Sequence, residues 1–497
     1  MTTVNTNIGA ISAQEGMRKV QGDLNQAIAR LSSGLRINTA ADDSAGTAIA
    51  SKMDAQVRGL NQAIRNASDA QNLIDTTEGA HQEIESILQR LRELAVQSAN
   101  DTNTVMDRTF LKSEQVALVA EIDRIANQTT WNGEKILEGS FSSKQFQVGA
   151  NQDEDITVTV DSARSSALGS HVLRTDAHAV VTANTIDGED LTVVGHLGSA
   201  TVTVNATDSA KDLAAAVNAQ TGSTGVEAKA VTKAELTGLT IAEAVAFTLT
   251  GDADASISVT VTSTSDIQVL TDAINAQAAT TGITAAQGSS AGSIILTHST
   301  GEDIKISAFD TATTTNELTM RALDRTGAAL STDDTITLEE TASGGTQPAG
   351  VVVGQATLES VKSFTVTGDD ATAEDGFFHT INGTAAGGTS AISAVSAINI
   401  GTVSGAESAI EALDGAINKL NQSRADLGAI SNRLTNTINN TANIVMNTEA
   451  SVSNIRDADF AKETSALTKA QILNQAATSM LAQANASKQS VLALLQN

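Results

Sequence analysis

The sequence of 497 residues contains no cysteine, no tyrosine, one proline and one tryptophan. The absence of cysteine excludes a disulfide framework and thiolate metal sites, although it does not fix the cellular compartment. Because aromatic residues make up only 2% of the chain, its cores must consist of aliphatic side chains packed at close range. Helices with small interface residues and strands rich in threonine and valine fit this composition.

Positive charge is also scarce, and it is unevenly distributed along a chain whose net charge is −27. Residues 176–399 hold seven Lys or Arg against twenty-seven Asp or Glu. The ends are slightly basic, with four against two in residues 1–40 and four against three in residues 456–497. Such an acidic middle repels nucleic-acid phosphates and favours a solvated surface that does not self-associate. We therefore expect no binding to nucleic acid.

Long apolar runs are missing as well. The N-terminus lacks a basic segment followed by about seven or more apolar residues, so no Sec-type signal peptide is predicted. No stretch of roughly eighteen consecutive apolar residues occurs, so no membrane insertion is predicted. If the protein leaves the cell, it uses another export route.

Both ends of the chain carry a regular apolar pattern in steps of three and four, the spacing of a coiled-coil seam. We define the polymerisation seam as Met17, Val20, Leu24, Ala27 and Leu31 near the N-terminus and Leu473, Ala477, Met480, Ala484, Val491 and Leu494 near the C-terminus. A hairpin of two such helices leaves much apolar surface in water, and further copies would cover it. Head-to-tail association that does not close makes a helical filament.

Between the ends, the periodicity changes from helical to strand-like and back. It predicts a second helix ending near residue 99, a third at about 107–127 and another from about residue 405. Residues 135–137 and 145–148 predict a β-hairpin, and alternation at 156–160 predicts a further strand.

The acidic middle contains an internal repeat. The sequence AVNAQ at 216–220 recurs as AINAQ at 273–277, and each copy is followed by glycine and a β-branched residue. We predict two small α+β units, near residues 200–232 and 257–306, each with strands around a short capped helix.

These patterns predict an α+β multidomain protein. Its long terminal helices form a coiled-coil core domain from residues 1–40 with 456–497. Residues 41–175 with 400–455 form an elongated helical bundle with a β-hairpin. Residues 176–399 form an inserted, variable, β-rich outer region.

No catalytic or metal-binding constellation is predicted, so we expect neither enzyme activity nor a cofactor. Serine and threonine are abundant but lack a nucleophile-elbow motif with an orienting histidine and aspartate. His81, Glu83 and Glu85 alternate by two, which points them to different sides of a helix, so we interpret them as exposed helix surface. The acidic turns at 153–155 and 187–190 depart from EF-hand spacing.

Several distinctive segments follow one another along the two ends of the chain. They are LSSGLRINTAADDSAG at 31–46, QRLRELAVQSAN at 89–100, EIDR at 121–124, WNG at 131–133, SNIRDADF at 453–460, AQIL at 470–473 and LAQAN at 481–485. Together, in this order, they resemble bacterial flagellin. The resemblance covers about the first 160 and the last 95 residues. The two repeats of the middle are similar to the insert motif of some flagellins and hook-associated proteins.

The resemblance implies a secreted, extracellular structural protein that polymerises into the bacterial flagellar filament for motility after type III export. It implies a homo-polymer, with an export chaperone, the filament cap and hook-associated proteins as partners. It also places the contact with the Toll-like flagellin receptor of animal hosts on Arg90, Leu94 and Glu114. Alternatively, these three residues are ordinary helix positions that serve filament contacts.

Two other functions share these features. A hook-filament junction protein has similar ends but joins two segments of the flagellum instead of repeating along one. The strong resemblance of residues 89–100 to flagellin favours the filament subunit. An extracellular adhesin built on the same scaffold would act through its insertion, whose Ser and Thr residues could also carry O-linked glycans.

Overall fold

The computed structural model describes residues 6–175, 177–181, 184, 186, 188–288, 290–311, 317–329, 335–339, 349–368, 377–378 and 387–495. For residues 178, 180, 181 and 487–495 it describes the backbone alone.

Long helices occupy both ends of the chain. The helices of the described residues are α1 Ile8–Ser33, α2 Ser44–Ala99, α3 Val105–Gln128, α4 Ala210–Ala219, α5 Thr221–Thr224, α6 Gln268–Ala276, α7 Ala278–Thr281, α8 Val403–Arg456 and α9 Phe460–Leu495, with a 3-10 turn at Val395–Ala397. The side chain of Asn7 caps α1 by accepting a hydrogen bond from the N–H of Ala10, and Gly34 ends this helix with a φ of 70°. None of the described helices is long and apolar enough to cross a membrane.

The strands are short and pair antiparallel throughout the described residues. They are β1 Thr130–Trp131, β2 Glu134–Lys135, β3 Lys144–Gln147, β4 Asp155–Val158, β5 Gly169–Arg174, β6 His178–Val181, β7 Glu189–Val194, β8 Ser199–Val204, β9 Glu227–Thr237, β10 Ala244–Thr250, β11 Asp254–Thr260, β12 Ile283–Gln287, β13 Ile294–His298, β14 Ile304–Thr311, β15 Glu317–Leu323, β16 Thr335–Glu339, β17 Gly350–Val353, β18 Gln355–Ser360, β19 Thr365–Gly368, β20 Gly387–Thr389 and β21 Ala391–Ala394.

The chain divides into two compact units. The first comprises Met1–Asp75, Ser143–Thr159 and Leu427–Asn497, and the second comprises Thr76–Ser142 and Val160–Asp426.

In the first unit, the start of α2 lies antiparallel to the end of α8. Asp54 accepts a hydrogen bond from Arg456 at 3.0 Å, and Gln71 donates to the hydroxyl of Thr435 at 2.7 Å. Val57, Leu60 and Val445 form the core between these helices. The hairpin of β3 and β4 lies along α2, and α1 pairs with α9.

In the helical part of the second unit, the end of α2, α3 and the start of α8 share an aliphatic core. Its buried residues include Ile84, Leu88, Leu91, Ile122 and Leu413. Arg424 on α8 ties the helices together by donating to the carboxylates of Glu78 and Glu85 on α2. The β1–β2 hairpin turns at Asn132 and Gly133, whose φ angles of 50° and 84° are those of a primed turn.

The rest of the second unit, β5 to β21 with α4 to α7, is called the β-rich region below. It contains a five-stranded sheet in the order β11-β10-β14-β17-β6 and a four-stranded sheet in the order β20-β19-β7-β8. A third sheet runs β12-β13-β9-β18-β5-β21, and β15 and β16 extend it beside β9. Helix α4 packs in one hydrophobic core, which includes Phe364 and Phe377, and α6 packs in another, which includes Phe247 and Phe309.

The structure confirms the predicted fold class: long terminal helices, a helical part with a β-hairpin, and an inserted β-rich region. It corrects the predicted hairpin of residues 135–137 with 145–148, because β3 pairs with β4 and β2 pairs back with β1. The division into three domains remains a prediction.

The prediction that His81 lies on an exposed helix surface is wrong, since its side chain is 1% exposed. This burial lowers the pKa of His81. The charges of Glu78 and of Asp161, which follows β4 in the chain, raise that pKa, and the charge of Arg424 lowers it. The two neighbouring carboxylates, Glu83 and Glu85, do not share this burial. No group of His, Asp and Glu among the described residues is arranged to bind a metal ion.

Candidate functional site

Helices α1 and α9 form an antiparallel pair held by polar contacts along its length. The amide of Asn7 donates to the carbonyl of Ala484 at 3.2 Å, and the amide of Asn474 donates to Gln21 Oε1 at 2.8 Å. Near the other end, the guanidinium of Arg30 lies 3.3 Å from the carboxylate of Glu463. These contacts set the register of the two helices.

The pair begins at a short backbone junction. Leu35 and Asp457 form an isolated antiparallel bridge. The N–H of Arg36 donates to the carbonyl of Arg456 at 2.7 Å, and the N–H of Ala458 donates to the carbonyl of Gly34 at 2.9 Å. The left-handed Gly34 lets the chain leave α1 at this point.

The loop between α1 and α2 is organised by two aspartates. Asp43 accepts a hydrogen bond from the N–H of Gly46 and so caps α2. Asp42 accepts hydrogen bonds from the N–H groups of Asn38 and Thr39 and from the hydroxyl of Thr39. These bonds, with those of Thr39 the strongest, lower the pKa of Asp42 to about 2.

On α1, the predicted seam faces the partner helix. Ala27 is buried, and Met17, Val20, Leu24 and Leu31 are half-buried. Their spacing of three and four matches the stripe that packs on α9.

On α9, the predicted seam divides between two faces. Ala477 and Ala484 are half-buried towards α1. Leu473 and Met480 are 43% and 65% exposed, so they lie outside the pair. The side chains of Val491 and Leu494 lie outside the described residues. The polymerisation role of the whole set remains a prediction.

Sequence reasoning missed the polar members of the pair. Glu463 is buried and occupies the position seven residues before the buried Ala470, on the same side of α9 as Ala477. Extending the heptad backwards from Ala484 would have identified it as an interface position. Asn474 shares this signal, because it lies seven residues after Leu467 and seven before Leu481, whereas Asn7 precedes α1 and carries none.

Both helices leave large apolar side chains exposed after they pair. These are Ile8, Ile11 and Ile28 on α1 and Phe460, Ile472, Leu473 and Met480 on α9. Phe460, Ile472 and Leu473 line an open groove along α9, together with Thr464 and Thr468. An apolar strip of this length is typical of a surface that binds another protein chain.

Arg90, Leu94 and Glu114, the second set of predicted residues, lie close together in the second unit. Arg90 on α2 donates to Glu114 on α3 at 2.9 Å and to Glu93 at 2.9 Å. These hydrogen bonds, first that of Glu93 and then that of Glu114, raise the pKa of Arg90. Leu94 is 1% exposed and packs in the core, so only the charged pair is available at the surface.

Family comparisons cover both ends of the chain and part of its middle. Residues 4–142 match the bacterial flagellin N-terminal helical region, and residues 410–495 match the bacterial flagellin C-terminal helical region. Residues 190–242 match the flagellin hook IN motif.

Whole-chain relatives agree with these matches. The chain is 36% identical to B-type flagellin of Pseudomonas aeruginosa and 33% identical to flagellin A of Vibrio anguillarum, in each case over 99% of both chains. A solved structure of FliC from Burkholderia pseudomallei aligns at 18% identity with a TM-score of 0.29, covering 73% of this chain and 99% of that one. The chain belongs to the bacterial flagellin family, whose members are structural subunits of the flagellar filament.

Proposed function

We propose that this chain builds the filament by packing the exposed surface of α1 and α9 against neighbouring copies. The observation that carries the proposal is that seven large apolar side chains, among those that the structure describes in α1 and α9, stay exposed after the two helices pair. About half of each side chain is already covered, so burying the rest stabilises association by about 1 kcal/mol per side chain, before the cost of ordering is subtracted. Repeated at every subunit, this contribution is large enough to drive polymerisation.

The predicted seam residues take two roles in this proposal. Met17, Val20, Leu24, Ala27 and Leu31, with Ala477 and Ala484, hold the hairpin of α1 and α9 together. Leu473 and Met480 contact the next copy, and Val491 and Leu494 also serve polymerisation. Because the hairpin fixes the positions of Leu473 and Met480, substitutions in the hairpin residues or in the residues that contact the next copy both weaken the polymer.

The role is structural, without a catalytic step, and it is carried out outside the cell. Type III export with the help of a chaperone would deliver the subunit, and the filament cap and hook-associated proteins would bound the polymer. The acidic surface of the β-rich region suits display to solvent, because like charges keep neighbouring copies from associating through it.

We further propose that Arg90 and Glu114 form the charged part of a contact with the Toll-like flagellin receptor of animal hosts. Leu94, which is buried below this surface, would hold the backbone of α2 in position. Exchanging the two charges, as Arg90→Glu with Glu114→Arg, keeps their ion pair but reverses the surface presented. Receptor activation should fall about tenfold or more. An unchanged response would exclude this contact.

Substitution of exposed α9 residues tests the filament proposal. Leu473→Gln combined with Met480→Gln removes apolar surface without touching the side of α9 that faces α1, so the subunit should fold yet polymerise poorly. Leu197→Gln is the matched control, because Leu197 is 62% exposed on a turn of the β-rich region. Seeded sedimentation should show filaments for the control and a critical concentration raised about tenfold or more for the double variant. Equal critical concentrations would contradict the proposal.

A further inference from the structure

Two largely covered carboxyl groups meet where the β-rich region packs on helix α8, within the second unit. Glu359 lies on β18, between β9 and β5, and its side chain is 17% exposed. Glu411 lies in about the third turn of α8, and its side chain is 10% exposed. Glu359 Oε1 is buried and accepts no hydrogen bond from the donor groups of the described residues.

Two cations approach this carboxyl pair from neighbouring elements. Lys229 Nζ on β9 lies 3.2 Å from Glu359 and 3.8 Å from Glu411. Arg325, in the turn after β15, lies 2.6 Å from Glu411. That turn is closed by a hydrogen bond from the N–H of Gly327 to the carbonyl of Asp324, which holds Arg325 in place. Both cations therefore contact Glu411, whereas Glu359 is left with Lys229 alone.

The two carboxyl groups titrate differently. Burial, followed by the hydrogen bond with Glu411, raises the pKa of Glu359 to about 7. Burial alone would also raise the pKa of Glu411, but hydrogen bonds from Glu359 and Arg325 more than offset it, and the pKa of Glu411 is lowered. Below about pH 7, Glu359 is mostly protonated and donates to the carboxylate of Glu411. In alkali, two carboxylates face each other in a poorly solvated space.

Other titratable and charged groups lie on the elements around the pair. Glu227 on β9 is registered directly opposite Glu359, and Glu407 lies one turn before Glu411 on α8. Both add negative charge. Asp414 is already paired with Arg92 at 2.5 Å, and His171 on β5 is registered with Ser360.

We propose that Glu359 and Glu411 share one proton and form a pH-dependent latch between β18 and helix α8, closed in mildly acidic solution and loosened in alkali. Two neighbouring contacts limit the movement. Gly415, one turn beyond Glu411, lets Ser170 approach the helix closely, and Lys419 donates to the carbonyl of Ala167 at 2.8 Å. The latch therefore controls how firmly the β-rich region is held on α8, whether or not the subunit has polymerised.

Hydrogen exchange of the full chain, measured by mass spectrometry and corrected for the intrinsic effect of pH, tests the latch. Protection of β18 and the first four turns of α8 should fall about tenfold between about pH 6 and about pH 8.5. Glu359→Gln should abolish this fall, because a neutral amide can donate to Glu411 at every pH. Glu411→Gln should move the transition to lower pH by removing the like charge.

Asp303→Asn is the matched control. Burial raises the pKa of Asp303 to about 7 as well, but this carboxyl lies beside β14 and hydrogen-bonds with Asn184. The variant should leave the transition at β18 and α8 unchanged. Protection in the wild type that does not change with pH, or a transition that persists in Glu359→Gln, would overturn the latch.

A direct titration covers the case in which Glu359→Gln fails to fold. Carbon NMR of glutamate carboxyls in the wild-type chain should then show one group that titrates near pH 7, because burial and Glu411 raise the pKa of Glu359 to about 7. If every glutamate titrates below about pH 5.5, the latch is refuted.

Discussion

Asn218 and Asn275 occupy equivalent positions in two copies of one structural motif. The Asn218 side chain donates to the carbonyl of Ala228 and accepts from its N–H, both at 2.8 Å. Asn275 makes the same two hydrogen bonds with Ala285, again at 2.8 Å. Each asparagine thus ties a short helix to the strand that follows it.

The surroundings of the two asparagines are also duplicated. The hydroxyl of Thr224 bonds to the carbonyl of Gln220, and that of Thr281 bonds to the carbonyl of Gln277. The next residue in each copy is a left-handed glycine, with φ angles of 71° and 70°. The match to the hook IN motif spans the first copy, and α6, α7 and β12 repeat its local hydrogen bonds.

Replacing either asparagine should therefore lower the free energy of unfolding by about the same amount. Asn218→Ala and Asn275→Ala each remove two hydrogen bonds, so each should lower the free energy of unfolding by about 1 to 2 kcal/mol. Because the helices of the two copies pack in separate cores, the double variant should be additive to within about 0.5 kcal/mol. Urea denaturation measures all three. A cost confined to one copy would contradict structural equivalence.

Two glycines of helix α8 should respond in opposite ways to the same substitution. A Cβ added at Gly415 would lie 2.5 Å from Ser170 Cβ and 2.9 Å from its backbone nitrogen. Gly415→Ala should therefore destabilise the protein by about 2 kcal/mol through overpacking.

Gly428 is the matched control on the same helix. A Cβ added there meets nothing within 4 Å, so Gly428→Ala should stabilise α8 by about 0.5 to 1 kcal/mol. Thermal unfolding of the two variants should shift in opposite directions. If Gly415→Ala raises the unfolding temperature, the close approach of Ser170 is not present in solution.

Because His81 is buried, we expect the protein to lose stability in acid. Burial lowers the pKa of His81 to about 4, against an ordinary value of 6.5. Between these pH values His81 is protonated in the unfolded chain but not in the folded chain. The free energy of unfolding therefore falls as the pH drops from 6.5 towards 4, by about 3 kcal/mol at most.

Comparing variants isolates this contribution. His81→Gln cannot take up the proton, so its free energy of unfolding should change less between pH 6.5 and 4 than that of the wild type. His196→Gln, at a histidine in the β-rich region, should retain the wild-type pH dependence. Parallel pH profiles for wild type and His81→Gln would show that His81 is protonated in the fold.

The features that the sequence predicted well depend on local chemistry. The glycine after each repeat helix and the apolar stripe of α1 are encoded by residues within a few turns of each other. The repeat could be found because both copies keep the asparagine and glutamine that form its hydrogen bonds.

The features that it missed depend on distant partners. His81 is buried and its pKa is affected by the charge of Arg424 on another helix, which helical spacing around His81 cannot indicate. The strand pairing of β3 was assigned to the preceding segment, although its partner β4 follows it. Leu473 and Ala477 look equivalent in a periodic pattern, and only the register set by Glu463 and Arg30 separates the covered face from the exposed one.

The central claim is that the terminal helices drive polymerisation, and deletion of residues 461–497 tests it most directly. Circular dichroism should show that the shortened chain is still folded. Seeded assembly followed by sedimentation and electron microscopy should then give filaments from the full chain, whereas the deletion variant should remain monomeric. Filaments of normal length from the deletion variant would contradict the account.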